Sequence, residues 1–256
     1  LPRLVSTMPL LVMAFIILFL YPSDVRIVFN PPILFPLLSS LTFYPIVIMV
    51  AYVAAKSFLM EGSCTLLLMG AGIILLGASG SILGWSVLLS GPGTSMTMLG
   101  AGVLASALLI LASSVLNSLG LPVCIGVDRS GTIALFYSLA LITTVVLASA
   151  AALGVIPSFF VEGKGVTIIG DVVLRTAASM FILSSLLYMR LYLKERMELL
   201  YWYSLALLSF GVGLIPISHQ TLFGSLLGWS GGLTFYVGAM YLLVMIVKAF
   251  RRPACA

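Results

Sequence analysis

The sequence predicts an all-α fold, a polytopic transmembrane helix bundle of about eight spans, and three observations carry that prediction. Hydrophobic residues make up 62% of the 256 positions and charged residues 7%, with a mean hydropathy of +1.26. A soluble domain carries about 25% charge, so this chain has little to offer a water-facing surface. The apolar residues fall into eight runs, each near the roughly 20 residues that a helix needs to cross a hydrocarbon core. The basic residues gather at the ends of those runs, as topology signals do.

Taken in order, the runs cover residues 4–21, 33–55, 65–89, 97–119, 132–155, 167–193, 198–217 and 222–250. The first is too long, and too poor in N-terminal charge, for a cleaved signal peptide. A polar turn at Asp24 and Arg26 and the sequence Asn30-Pro31-Pro32 set it apart, so it reads as an appendage to a seven-helix core over residues 33–250. Short linkers make consecutive helices antiparallel neighbours. Residues 1–253 read as one integral-membrane domain with no output domain of its own. A chain that begins at leucine is expected to be an excised fragment or to have a processed start.

With eight spans both termini share a side. That side holds Arg3, Lys56, Arg129, Arg190, Lys194, Arg196, Lys248, Arg251 and Arg252. The other holds Arg26 and Lys164, with Arg175 inside the sixth run. Lys and Arg accumulate on the cytoplasmic side, so both termini are expected in the cytoplasm of a multi-pass plasma-membrane protein, with the loop 158–165 outside. Cys64, Cys124 and Cys255 then lie on the inner side, where thiols stay reduced, and they follow no metal spacing. The net charge of +5 expresses this asymmetry and is no sign of nucleic-acid binding.

Small residues govern how such helices approach, because lipid offers no hydrophobic drive for their association. Gly80 and Gly84 are four apart, and Gly70/Gly72 and Gly100/Gly102 lie on two runs expected to face each other. Gly224, Gly228 and Gly232 form a ladder at the start of the last run. That ladder is expected to pack helix on helix within the bundle; a homodimer through the last helix is the other reading.

Charge interrupts the apolar sequence over residues 156–175. Of the nineteen charged residues (12 Lys+Arg and 7 Asp+Glu), Glu162, Lys164, Asp171 and Arg175 fall within fourteen positions. Glu162 and Lys164 lie in a loop where Gly163 and Gly165 imply a backbone that glycine adopts most easily, and they read as turn charges before they read as ligands. Asp171 and Arg175, four apart, share a helix face. A charge inside a membrane helix costs roughly 2.5–3.5 kcal/mol on insertion scales, so the two are expected to pair and to turn toward the interior or a wet cavity. An interfacial ion pair, a ligand or proton pocket and snorkelling to the headgroups are the three readings. In the pocket reading, Phe159, Phe160 and Glu162 form a lid over a signal-receiving cavity beside the pair. His219, the single histidine, stands at an outer helix end beside Gln220; it is an interface residue or, more sharply, a pH sensor.

One histidine, no Cys/His cluster and no paired carboxylates argue against a catalytic metal or haem, and no phosphate loop, triad or kinase motif is present. No metal, cofactor or catalytic residue is therefore expected, and the chain itself is not read as an enzyme.

The run Pro157 to Thr167, Pro-Ser-Phe-Phe-Val-Glu-Gly-Lys-Gly-Val-Thr, resembles the signature of a class of microbial membrane-associated sensor domains. These are the multi-helix N-terminal input domains of sensor histidine kinases and diguanylate cyclases. The resemblance spans about residues 155–245, with a similar style over 58–84, and it carries over Glu162, Gly163, Gly165 and Thr167. It implies a sensory input domain that detects an extracytoplasmic or membrane-borne signal, a small molecule or lipid. Such a domain relays the signal to a cytoplasmic signalling module in cis, most typically a histidine kinase of a two-component system. A small transporter or channel, with helices broken at Pro36, Pro45 and Pro216, is the alternative.

Overall fold

The computed structural model describes residues 2–21, 28, 29, 31, 33–120 and 128–251. Asp24, Arg26, Cys124, Arg252 and Cys255 lie outside the described residues, and Arg3 and Arg251 are described by backbone alone. Among the described residues, seven helices and one small hairpin follow in chain order. They are α1 (Pro2–Leu20), α2 (Leu34–Glu61), α3 (Cys64–Leu119), α4 (Arg129–Ala152), β1 (Phe160–Val161), β2 (Gly165–Val166), α5 (Ile168–Glu195), α6 (Glu198–His219) and α7 (Leu226–Arg251). The fold is helical, as the composition predicts. The helices α2 to α7, six in all, are long and apolar enough to cross a membrane, and α1 has a shorter apolar stretch, Val5–Leu20.

At 56 residues, α3 would reach about 84 Å if straight, at 1.5 Å per residue. It folds back instead. Gly91 has φ 78° and ψ 171°, a conformation nearly confined to glycine, and Pro92 restarts the helix where a missing N–H is harmless. Ser113 Oγ donates to the Thr65 carbonyl at 2.7 Å, Ser106 Oγ to the Gly72 carbonyl at 2.7 Å, and Ser86 Oγ to Ser95 Oγ at 2.8 Å. Partners draw together in sequence toward the break, as they must in two antiparallel arms, residues 64–90 and 92–119. Thr65, Gly72, Ser79 and Ser86 recur at every seventh position, the spacing that holds one helix face against a neighbour. The paired glycines expected on facing runs do meet the opposite arm: Gly72 abuts Ile110 and Gly102 abuts Ser79.

The sequence suggests a loop over residues 90–96; the break is Gly91 alone. The hydroxyls that make this stretch look loop-like are satisfied within the helix. Ser95 Oγ donates to the Gly91 carbonyl at 2.8 Å and Thr97 Oγ1 to the Gly93 carbonyl at 2.9 Å.

Around this hairpin the other helices assemble. The α2 helix lies over α3 and α7, α4 packs on α3, α5 sits between α3 and α6, and α6 and α7 are paired. Small residues again permit close approach: Gly211 abuts the Ala178 carbonyl of α5, and Gly213 and Gly231 abut each other's carbonyls. The α1 helix is tied to α6 and α7, since the Tyr241 hydroxyl donates to the Ser6 carbonyl at 2.7 Å and Ser6 Oγ lies 2.7 Å from the Tyr201 hydroxyl. The outer face of α4, with Leu135, Leu139, Ile142 and Val146, is exposed, a surface suited to lipid.

Each end of the bundle has its own chemistry. One collects the Gly91 break, the β-hairpin and the loop before α7. There Gly93 abuts the Phe160 carbonyl, Gly165 abuts Thr221, and Val28 bridges Ser225. The other end is basic. Arg129 donates to the Leu59 carbonyl at 2.6 Å, and Lys248 pairs with Glu198 beside the Trp202 ring. Asp128 caps α4 here; hydrogen bonds from the Ser130 hydroxyl and amide hold its carboxyl below the usual carboxylate range.

Two expectations follow for stability. Gly102→Leu should lower the melting temperature in detergent by several degrees, because its side chain would drive the α3 arms apart at Ser79; an unchanged melting temperature would contradict the seam. Tyr203 is 1% exposed, stands edge-on to Tyr188 at 4.9 Å, and its hydroxyl has no hydrogen-bond partner among the described residues. An orphaned buried polar group costs about 1–3 kcal/mol, so Tyr203→Phe should leave stability unchanged or raise it. A clear loss on equilibrium unfolding would show that the hydroxyl is bonded.

Candidate functional site

Between α2, α3, α6 and α7, at the hairpin end, lies an apolar cleft that is partly open to the surroundings. Phe43 of α2, Leu76 and Met96 from the two arms of α3, Ile217 of α6 and Phe235 of α7 form its walls. Part of the wall is glycine: Gly224, Gly228 and Gly232 all line it, the last two four residues apart on α7 and so on one face. This differs from the expected helix contact. Gly232 faces open space, Gly228 abuts the Gln220 carboxamide, and Gly224, with φ 77°, lies in the turn before α7. The close contact of α7 is displaced by one residue, to Gly231 and Gly238, both against α6. One residue is about 100° of rotation around a helix, enough to turn a packing stripe into the wall of a hollow. Across the cleft Gly80 also faces open space, while Gly84 abuts Pro36.

The polar groups of the cleft are few. Trp229 Nε1 donates to the Phe29 carbonyl at 2.6 Å, and the Tyr236 hydroxyl pairs with Ser39. Gln220 is 4% exposed; its Nε2 reaches the Met96 sulfur at 3.6 Å. Its Oε1 lies against Gly228 and accepts no hydrogen bond among the described residues. A second hollow of about 590 Å³, of mixed polarity and bordered by Tyr21, His219, Thr221 and Ser225, shares Gln220 with the cleft.

The charged candidates form a separate cluster. Arg175 Nε lies 2.6 Å from Asp171 Oδ1, and its NH2 group lies 2.8 Å from His219 Nε2. The structure therefore joins Asp171, Arg175 and His219, which the sequence leaves as a pair and a lone histidine. The Tyr21 ring meets the imidazole edge-on at 5.0 Å. The pair does not face the interior: the Asp171 and Arg175 side chains are 28% and 55% exposed. Asp171 occupies the first turn of α5, where the helix dipole favours a carboxylate, so a boundary position suits both charges.

The hairpin is an anchor rather than a lid. Phe159 and Phe160 are buried, the first against Gly100 and Gly170 and the second edge-on to Phe223 at 6.3 Å. The Phe159 amide donates to Thr97 Oγ1 at 3.0 Å. Gly163 and Gly165 have φ of 81° and 85°, the left-handed backbone that their sequence implies. Thr167 Oγ1 accepts from the Gly170 amide at 3.2 Å and donates to the Ser158 carbonyl at 2.9 Å, capping α5. Glu162 and Lys164 are exposed at the turn and, among the described residues, enter no ion pair. No group of three or more His, Cys, Asp or Glu among the described residues could hold a metal ion.

Gln220, Phe43 and Met96 carry the cleft, and sequence reasoning did not select them. A glutamine ending an apolar run gives no signal until its neighbours are known. No protein-family model, curated protein or solved structure matches the chain.

A guanidinium only donates hydrogen bonds, so His219 Nε2 must accept and Nδ1 must carry the proton. Nδ1 then points at the Ile215 carbonyl, 3.0 Å away, and lies 3.0 Å from Ser218 Oγ. Nitrogen-15 imidazole shifts should report the Nδ1–H tautomer in the wild type. An Nε2–H imidazole would exclude the contact.

Proposed function

We propose that this chain is an integral-membrane sensory input domain. Its cleft receives an apolar ligand, and its helices relay occupancy to a cytoplasmic signalling module joined in cis, for which the resemblance of Pro157–Thr167 implies a histidine kinase. The cleft carries this reading. It is concave, preformed and mostly apolar, with a few polar side chains at one end, the character of a small-molecule site. Among the described residues no nucleophile–base pair lines it, so it fits recognition better than turnover. The α2 and α6 helices run on through Pro45 and Pro216, which leaves a transporter reading without the broken helices it would use.

In this reading the chain crosses the plasma membrane eight times, with the arms of α3 as two crossings and α1 as the first. Among the described residues the hairpin end carries Lys164 and Arg175. The other end carries Lys56, Arg129, Arg190, Lys194, Arg196 and Lys248. The positive-inside rule then places that end, with both termini, in the cytoplasm.

The test has two parts. Cysteine at Lys164 should react with an impermeant thiol reagent in intact cells, and labelling only after permeabilisation would reverse the topology. Gly232→Phe should place its ring in the cleft, because a β-carbon at this position meets nothing within 4 Å. In a fusion to a kinase reporter this variant should fold normally and hold output at one level whatever lipid extract or small-molecule pool is supplied. A response equal to that of the wild type would remove the cleft from signalling.

A further inference from the structure

We infer that the occupant of the cleft is an amphiphile, a long apolar body with one uncharged head of hydroxyl or carboxamide type, and that Gln220 holds the head. The inference rests on the cleft being a ligand site and not on any signalling role.

A glutamine carboxamide offers two donors and two acceptor lone pairs. Buried groups of this kind are normally hydrogen-bonded. Gln220 is 4% exposed, yet its single contact of this kind among the described residues is to the Met96 sulfur, a weak acceptor. Both amide atoms lie at the cleft wall, one against Met96 and the other against Gly228. A β-carbon at residue 228 would collide with Oε1, so glycine there leaves the amide free to face the hollow.

The other polar side chains of the cleft are engaged, Trp229 with the Phe29 carbonyl and Tyr236 with Ser39. Among the described residues no Lys, Arg, His, Asp or Glu lines it. A charged head would therefore be desolvated without a counter-charge. A bare hydrocarbon would leave the amide as it is, and a ketone would satisfy only its donor side. A hydroxyl or carboxamide both donates to Oε1 and accepts from Nε2.

The head has a fixed end. Gln220 also borders the mixed-polarity hollow with Tyr21, Thr221 and Ser225, while Phe43, Leu76 and Phe235 line the apolar part. The head thus sits at the hairpin end, and the tail lies along Gly228 and Gly232.

Trp229 lines the cleft and serves as the reporter. In the Trp85→Phe/Trp202→Phe background, reconstituted in phosphatidylcholine nanodiscs, quenching is measured with an ω-brominated long-chain alcohol and with a bromoalkane of equal length. Both are expressed as mole fraction in the bilayer. The alcohol should quench saturably and at a roughly tenfold lower mole fraction than the bromoalkane, as one or two net hydrogen bonds would give. Gln220→Met, close in shape, should abolish the difference while leaving bromoalkane quenching unchanged. Gly228→Ala, which keeps the amide but displaces it, should do the same. Gly232→Phe should remove saturable quenching by both probes. Equal quenching by both probes in the wild type, or an alcohol preference that survives Gln220→Met and Gly228→Ala, would overturn the inference. Absence of saturable quenching by either probe would also overturn it. Alcohol-selective quenching in a chain whose kinase fusion stays silent would keep this inference and remove the sensory role. A cleft-dependent kinase response without head selectivity would do the reverse.

Discussion

Two helical arms of α3 lie flat against each other because there is almost nothing between them. Where a soluble hairpin would interleave leucines, this one sets Gly72 beside Ser106 and Gly102 beside Ser79, and hydroxyls reach across to carbonyls. In lipid this close approach replaces the hydrophobic drive, because dispersion and hydrogen bonding are what remain to join two apolar rods. The remaining elements dock on the same helix. Gly77 receives Val47 of α2, Gly70 receives Tyr137 of α4, and Gly100 receives Phe159 of the hairpin segment. Without the turn that Gly91 permits, the two sets of docking sites would point away from each other along one long rod.

The interior is apolar, yet it holds many hydroxyls, and their bonding explains how they are tolerated. Most bond one turn back along their own helix, as Ser81 does to Gly77, Ser184 to Met180 and Thr234 to Ser230. Others bond across, as Ser113 does to Thr65 and Ser185 to the Ser204 carbonyl. The backbone-satisfied helix thus absorbs polar side chains at little cost. Against this background Tyr203 and Gln220 stand out. The Tyr203 hydroxyl is closed in by packing, whereas the Gln220 carboxamide opens on a hollow.

Most of the architecture was legible in the sequence, because hydrophobic length is a local property. Each apolar run became a helix or an arm of α3, the left-handed glycines of the hairpin were readable from Gly163 and Gly165, and the ion pair followed from the four-residue spacing of Asp171 and Arg175. What depends on a distant partner was hidden. His219 and Arg175 are 44 residues apart, and nothing local links them. Of the expected ladder only Gly228 and Gly232 share a face of α7, since Gly224 lies in the turn before it, and spacing gives the face and not its neighbour. A glycine stripe looks the same whether it admits a helix or leaves a hole. The lid expected from Phe159 and Phe160 failed for a related reason. Aromatic residues in a loop say that something is covered, and here they fill the gap left by Gly100 and Gly170.

The hollow itself poses an energetic question. Cavities in close-packed interiors cost stability in proportion to their volume, and here glycines from two helices, Gly80 and Gly232, face the same open space. A β-carbon at either position would meet nothing within 4 Å, so packing alone does not require glycine there. A space that two glycines leave open is one that an occupant other than protein can enter. In a bilayer the plentiful filler is a hydrocarbon chain, which answers for the walls but not for Gln220. That residue ties the hollow to the hairpin: its carbonyl abuts Gly165 while its side chain abuts Gly228. An occupant that bonds the carboxamide therefore acts on the residue where α6 ends, the hairpin rests and the cleft begins. Of all the cleft's residues, Gln220 is the one through which a bound head could be felt by the rest of the bundle.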